Sequence, residues 1–304
     1  MHAVVWSGAR PARCLGTGFK LKVLAMTFKT DGFLSPTMEE FRTSLREVPA
    51  YKLWLEFAEE LNRLGWDMLE DHETPTTDNQ RLIISVLFIR AHQSFQAAIT
   101  LVERGMLADA RVVVRSGVEG AMALNVLAND ATFDMQLIEA HLHNQRRTAR
   151  IVLNTPEYRS GYAATEIAQM ETTIKDVTDK EAAAGREFRD ITWATVAAKH
   201  CRDLYDLLYR SLSNDGTHTN INAIHRFLEF DGSSQLTGLR FGPNTRDMVD
   251  VLKMACLMFI WAADPFARAH ALQFRPQIAD KMRQFDGMPG EEPPDVSVLA
   301  HFDE

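Results

Sequence analysis

Apolar residues recur at intervals of three and four along most of this chain, and that spacing is the period of an amphipathic α-helix. The clearest stretch spans residues 50–71, where the apolar positions are Leu53, Leu55, Phe57, Ala58, Leu61, Leu64 and Met68. Similar patterns cover residues 36–49, 78–104, 106–127, 132–153, 156–184, 193–212, 219–228 and 243–288. The chain is therefore predicted to fold as an all-α helical bundle.

Two of these stretches, 78–104 and 106–127, are separated by Gly105 alone. Glycine readily takes the left-handed conformation that ends a helix, so the pair is expected to form a long antiparallel helical hairpin. The first stretch is apolar around much of its circumference, which indicates a central position. Gly117 and Gly120 lie on the second stretch and would let a neighbouring element approach closely.

The spacing of apolar residues departs from the helical period in one stretch, residues 227–241. The segments Phe227-Leu-Glu-Phe and Leu236-Thr-Gly-Leu-Arg-Phe flank the turn sequence Asp231-Gly-Ser-Ser. Short apolar segments around such a turn indicate two antiparallel strands. One small β-hairpin insertion is predicted within the bundle.

The helical pattern predicts a single domain over residues 36–285, opened by the capping sequence Ser35-Pro36. Residues 1–35 are expected to be an N-terminal extension that is either disordered or the product of a mis-assigned start. Residues 286–304 read as an acidic, irregular tail.

The amino-acid composition and net charge limit the classes of partner that this protein is expected to bind. A net charge of −8 and a pI near 5.7 argue against nucleic acid, which requires a basic face. Cys14, Cys201 and Cys256 are widely spaced, which signals neither a disulfide framework nor a zinc site and favours a cytoplasmic protein. The longest apolar run, 254–263, is half of the ~20 residues that cross a bilayer, so no membrane partner is expected.

Arg111, Arg115 and Glu119 are spaced by four and share one face of the second hairpin helix. One interpretation is an exposed ion pair of little consequence. The other takes the apolar flanking residues as a sign of burial, where an arginine needs a partner. In that case these three residues anchor a neighbouring helix or bind an anionic ligand.

A second polar group lies where the helix predicted over 193–212 runs into the turn 213–218. Plain helix capping explains this turn. The alternative assigns His218 as a general acid or base, with Tyr209 and Ser213 assisting. The set lacks a positioned carboxylate, so a complete catalytic triad is not predicted.

Glu139, His141 and His143 cluster on one predicted helix. A carboxylate-bridged metal bundle needs such ligands on several helices, so a solvated helix face is favoured and neither a metal nor another cofactor is expected. The same helix continues into a basic patch, Arg146, Arg147 and Arg150, for which a phosphate or RNA partner is the alternative to solvation.

Several short motifs over residues 80–270 follow one order: Leu101-x-x-x-Gly105-x-x-x-Asp-Ala110, Arg115-x-x-x-Glu119, Trp193, Tyr205-x-x-x-Tyr209, Leu212-Ser213 and His218. This order resembles a bacterial all-helical domain family of unknown function. The resemblance implies that Arg115, Glu119, Tyr209, Ser213 and His218 meet in space as a polar cluster. It implies no activity.

A looser similarity is to helical nuclease toxins, whose active site is an arginine followed by four to six residues and a histidine. Arg210 and His218 are separated by seven residues that include Gly216. This departure weakens the case for RNA cleavage.

Two hypotheses remain. The first is a non-enzymatic cytoplasmic bundle that binds a small ligand or a protein partner through the polar cluster. The alternative is an RNA- or nucleotide-directed hydrolase of the toxin or defence type, with Arg115 stabilising negative charge. A homodimer through an apolar outer face at Val251–Trp261 is also considered.

Overall fold

The computed structural model describes residues 28–73, 77–213, 221–231 and 235–290, except for the side chain of Asn222. The helices are α1 (Met38–Leu45), α2 (Pro49–Glu70), α3 (Asn79–Val102), α4 (Leu107–Leu127), α5 (Phe133–Asn154), α6 (Pro156–Arg159), α7 (Ala164–Ala184), α8 (Trp193–His200), α9 (Arg210–Leu212), α10 (Ile221–His225), α11 (Met248–Ala269) and α12 (Arg275–Asp286). A 3-10 turn spans Gly32–Leu34, and a π-helical segment spans Leu204–Tyr209.

The core is built around α3, α4 and α11, which pack against one another, with α2 against α11. Phenyl rings fill the space between α3 and α11: Phe88 stacks on Phe266 with centroids 4.1 Å apart, and Phe95 lies 4.9 Å from Phe259. Buried rings of this size contribute about 1.5–3 kcal/mol each through removal from water. The predicted all-α bundle is confirmed.

The predicted hairpin of α3 and α4 is also confirmed. Gly105 has a φ of +71°, and the N–H of Met106 donates to the carbonyl of Leu101 at 2.9 Å, which closes the end of α3. Gly117 permits a close approach to α11, because a Cβ there would lie 2.7 Å from Cε of Met258. Gly120 has no such contact.

The β-hairpin is present as β1 (Leu228–Phe230) and β2 (Leu236–Leu239), which pair antiparallel. Leu228 faces Leu239 and Phe230 faces Leu236, with an irregular register between Glu229 and Phe230. These are the two strands within the described ranges, so the predicted insertion is confirmed.

Several predicted helix boundaries are wrong. Pro49 begins α2 rather than ending α1, as suits a residue that lacks an N–H donor. The stretch 193–212 is interrupted at Cys201, where φ is −154°, and continues as the π-helical segment. The last stretch divides into α11 and α12 near Ala271, whose φ is +53°.

The predicted extension and tail are both partly structured. Phe28 and Phe33 pack against the core, and Ser35 is buried. After α12, the carbonyl of Pro289 accepts a hydrogen bond from Nε1 of Trp54 at 3.0 Å. The packed chain therefore extends beyond residues 36–285 on both sides, while residues 1–27 and 291–304 lie outside the described ranges.

Two surfaces differ from expectation. Residues 251–261 of α11 are largely buried in the core, so the predicted apolar outer face is wrong, while a homodimer as such stays a prediction. By length and composition alone α3 could cross a membrane, although no long uninterrupted apolar run signalled it. It packs against α4 and α11, and the absence of a membrane partner stays a prediction.

Candidate functional site

The structure brings together four of the five residues expected to meet. Arg115 donates from Nε to Oγ of Ser213 and from Nη2 to Oη of Tyr209, both at 2.9 Å. Its Nη1 lies 3.4 Å from Oε1 of Glu119. The Tyr209 hydroxyl donates to the same Glu119 oxygen at 3.1 Å. These four side chains are called the polar cluster below.

The geometry of the cluster follows from the elements that carry it. Arg115 and Glu119 lie one turn apart on α4, while Tyr209 ends the π-helical segment and Ser213 follows α9. A π-helical turn is wider than an α-helical one and redirects the side chains that follow. The ring of Tyr205 stacks on that of Tyr209 at 5.2 Å, and the Arg115 guanidinium carbon lies 4.8 Å from the Tyr209 ring centroid.

The cluster is balanced in charge and in hydrogen bonds. One arginine faces one glutamate, and the tyrosine both accepts and donates. Burial, and then the negative charge of Glu119, raises the pKa of Tyr209, so its hydroxyl remains a donor at neutral pH. An arrangement of this kind joins α4 to the segment 204–213 and is a structural network. The catalytic roles predicted for Tyr209 and Ser213, and the ligand-binding roles predicted for Arg115 and Glu119, stay predictions.

His218, the predicted acid or base, lies in the segment 214–220, outside the described residues. Ser213 is the last described residue before this segment and Ile221 the first after it.

Arg111 does not belong to the polar cluster, although it shares a helix face with Arg115. Its side chain is buried, and its Nη2 lies 3.7 Å from Oδ2 of Asp247. The same oxygen accepts a hydrogen bond from Nη1 of Arg226 at 2.9 Å. Asp247 immediately precedes α11 with a φ of +65°, a left-handed conformation that non-glycine residues rarely adopt and that is concentrated at functional sites.

Beside this pair lies a cavity of about 390 Å³, called the basic cleft below. Its polar lining consists of His225, Arg226, Arg240, Asn244, Arg246 and Asp247. Among the described lining residues, three arginines thus accompany one carboxylate, and that carboxylate is already bound by Arg111 and Arg226. The start of α11 adds the partial positive charge of a helix N-terminus.

The arginines of the basic cleft differ in how they are held. Arg240 donates from Nη1 to Oδ1 of Asn244 at 2.7 Å, while its Nε is buried with no hydrogen-bond partner in the described chain. The exposed Arg246 makes no side-chain hydrogen bond or ion pair within the part of the chain that the structure describes. A cavity with this surplus of guanidinium groups is suited to a phosphate or carboxylate.

Sequence reasoning missed this cleft. Its residues come from the turn after α10, from the chain after β2 and from the approach to α11, so no single helix face contains them. A usable signal was present, because Arg226, Arg240 and Arg246 fall within a short, turn-rich stretch of an otherwise acidic chain.

Two residues of the other predicted polar groups, Glu139 and Arg146, are buried and have internal partners. Nη2 of Arg186 donates to Oε1 of Glu139 at 2.6 Å. Arg146, from the predicted basic patch, is buried against Glu181. Among the residues whose placement is described, no group of three His, Cys, Asp or Glu side chains is arranged to hold a metal ion.

The comparisons with known proteins bear on the region that carries the polar cluster and part of the basic cleft. The family of unknown function DUF5677 matches residues 81–235, just over half of the chain. This chain belongs to DUF5677. The matched region of this DUF5677 protein includes the polar cluster and Arg226 but ends before Arg240 and Arg246. Searches of curated proteins and of solved structures found no match.

Proposed function

We propose that this DUF5677 protein binds a small anionic molecule, one that carries a phosphate or carboxylate group, in the basic cleft. The observation that carries the proposal is the imbalance of charge among the described lining residues: three arginines around a cavity of about 390 Å³, with one carboxylate that is already bound. In a protein with a net charge of −8, such a local surplus of positive charge opposes the overall field and attracts an anion.

The polar cluster has a supporting role in this proposal. Arg115 joins α4 to Ser213, the last described residue before α10. Arg111, one turn before Arg115, pairs with Asp247 on the cleft wall. The helix α4 therefore contacts the cleft wall through Arg111. In the favoured form of this function, the protein binds its ligand in the cytoplasm and does not catalyse a reaction.

A titration of the purified protein with inorganic phosphate tests the proposal. Replacing the two arginines that do not pair with Asp247, in the double variant Arg240→Gln/Arg246→Gln, should weaken phosphate binding by about tenfold or more, since each charged hydrogen bond contributes about 1.5 kcal/mol or more. The control is Arg159→Gln/Arg283→Gln, which removes the same charge from α6 and α12 and should leave binding unchanged. Equal weakening in both variants, or no binding by the native protein, contradicts the proposal.

The hydrolase alternative draws support from the same cleft, because guanidinium groups also bind the phosphates of nucleotides and RNA. It requires turnover, and a limb in the pH–rate profile near the ~6.5 pKa of histidine. Loss of that turnover in His218→Ala, with phosphate binding retained, would support the alternative. If the protein binds phosphate but turns over neither RNA nor nucleotides, the hydrolase alternative is excluded and the binding function stands.

A further inference from the structure

A second cavity adjoins the basic cleft. Its volume is about 80 Å³, and it shares three lining residues with the cleft: Arg226, Arg240 and Asn244. The remaining lining is mostly apolar and includes Phe33, Met106, Leu107, Ala108, Phe227 and Phe241. The solvent-exposed Asp109 is its one carboxylate. This cavity is called the apolar compartment.

The position of the apolar compartment depends on Gly105. The carbonyl of Gly105 accepts a hydrogen bond from the N–H of Asn244 at 3.0 Å, and a Cβ on this glycine would lie 2.7 Å from the same nitrogen. The turn between α3 and α4 is therefore held directly against the chain that follows β2. This contact places the apolar start of α4 beside the arginines of the basic cleft.

Two aromatic side chains of the compartment are unusually open to solvent. Phe227 is 53% exposed and Phe241 is 78% exposed. Large exposed apolar side chains that adjoin one another mark binding surfaces more often than they occur by chance. The guanidinium of Arg240, whose buried Nε has no partner in the described chain, stands on the wall between these rings and the cleft.

We infer that the ligand is an amphipathic anion, whose phosphate or carboxylate occupies the basic cleft while a small aromatic or alkyl group enters the apolar compartment. This inference rests on the proposed anion-binding function. It follows from the shared wall, because a molecule bound to Arg226 and Arg240 from the cleft has its other end at the mouth of the compartment. A free inorganic anion would leave the compartment unused.

A matched pair of probes tests the inference: phenyl phosphate and glycerol phosphate, titrated into the full chain beside inorganic phosphate. Each buried methylene-sized group is worth about fourfold in affinity. Phenyl phosphate should therefore bind about tenfold or more tightly than glycerol phosphate. If the two bind equally while inorganic phosphate still binds, the amphipathic ligand is excluded and the anion site stands. If no phosphate binds, both proposals fail.

The variant Ala108→Leu fills the apolar compartment from the first turn of α4. It should remove the preference for phenyl phosphate and leave the affinity for inorganic phosphate within about twofold. Phe241→Ser, which removes one aromatic wall, should reduce the same preference and serves if Ala108→Leu does not fold. A phenyl preference that survives both changes, or an equal loss for all three probes, would overturn the inference.

Discussion

Adjacent turns of α4 contact the polar cluster through Arg115 and the wall of the basic cleft through Arg111, but the two regions differ in balance. In the cluster, one arginine meets one glutamate, and a tyrosine connects them as both acceptor and donor. Among the described residues that line the cleft, there are three arginines and one aspartate. In a balanced network the charged groups are paired with one another within the protein. In an unbalanced one, surplus positive charge is left that an anionic ligand can neutralise. Changes in the cluster should therefore alter stability, and changes in the cleft should alter affinity.

A substitution of Asp247 is expected to alter both stability and affinity, because this residue lines the cleft and also pairs with the buried Arg111. The substitution Asp247→Asn keeps a residue that tolerates a positive φ but removes the charge. We expect the free energy of unfolding to fall by about 2–3 kcal/mol, since the buried Arg111 loses one of its interactions with a negative charge. Phosphate affinity should rise at the same time.

Denaturant unfolding and phosphate titration of the same Asp247→Asn preparation check both effects. Asp250→Asn, an exposed position on the first turn of α11, is the control for removal of one negative charge. A variant that retains native stability would mean that Arg111 does not depend on Asp247.

The next largest effect is expected from Arg115→Met. This change removes the hydrogen bonds to Tyr209 and Ser213 and leaves Glu119 without its cation. A loss of about 2 kcal/mol in unfolding free energy is expected, because partly buried polar groups lose their partners. Phosphate affinity should stay within about twofold.

The control for Arg115→Met is Arg210→Met on α9, where the arginine is exposed and pairs only at 3.4 Å with Asp206. Its stability should change by less than about 0.5 kcal/mol. Should a folded Arg115→Met protein lose phosphate binding altogether, the cluster would be part of the binding site and the contrast with the cleft would be false.

The two regions also differ in how far the sequence predicted them. Spacing by four places Arg115 and Glu119 on one helix face, and the family resemblance supplied Tyr209 and Ser213. Periodicity cannot say what that face meets, so it grouped Arg111 with Arg115 although Arg111 pairs with Asp247, far along the chain. The cleft is formed by loops whose relative positions depend on contacts such as that between Gly105 and Asn244.

The same limit applies to the fold. The turn at Gly105 was predictable because only a residue that tolerates positive φ fits directly between two apolar helical stretches. The π-helical segment was not, since the apolar spacing over 204–212 satisfies an ordinary α-helix equally well. The β-hairpin was predictable because its period and turn residues are local.

A network of two histidines and a serine extends the comparison to pH. Ser85 lies between two histidines, with its Oγ 3.1 Å from Nε2 of His270 and 3.2 Å from Nε2 of His72. Nη2 of Arg81 lies 3.4 Å from Nδ1 of His270. Burial, followed by the charges of His72 and Arg81, lowers the pKa of His270 to about 4. The folded protein therefore holds His270 neutral at neutral pH.

A fall in pH should lower the free energy of unfolding through this network. Because the pKa of His270 is lower in the folded chain than in the unfolded one, the unfolded chain binds a proton first as the pH falls below about 6.5. The stabilising contribution is complete above that pH and is lost progressively toward pH 4. Unfolding free energy should fall by about 1–2 kcal/mol from this residue between pH 7.5 and 5. In His270→Gln that pH dependence should be smaller, and equal slopes in the two proteins would contradict the assignment.

The smallest effect on stability is expected at Arg246, whose side chain has no hydrogen-bond or ion-pair partner among the described residues. Arg246→Lys keeps the charge but removes the planar fork that binds two oxygens of a phosphate. Unfolding free energy should stay within about 0.5 kcal/mol of the native value. Phosphate affinity should fall about threefold, and in Arg246→Gln it should fall further, because the charge is also lost.

The order of phosphate affinities among these Arg246 variants shows whether the cleft binds its ligand through positive potential or through directed hydrogen bonds. If lysine retains the full affinity, the cleft acts through positive potential alone, and phosphate binding should weaken steeply with salt in all variants. If lysine and glutamine weaken binding equally, directed hydrogen bonds from the guanidinium dominate. A fall in stability in either variant would assign Arg246 to the fold and remove the contrast between a balanced cluster and an open cleft.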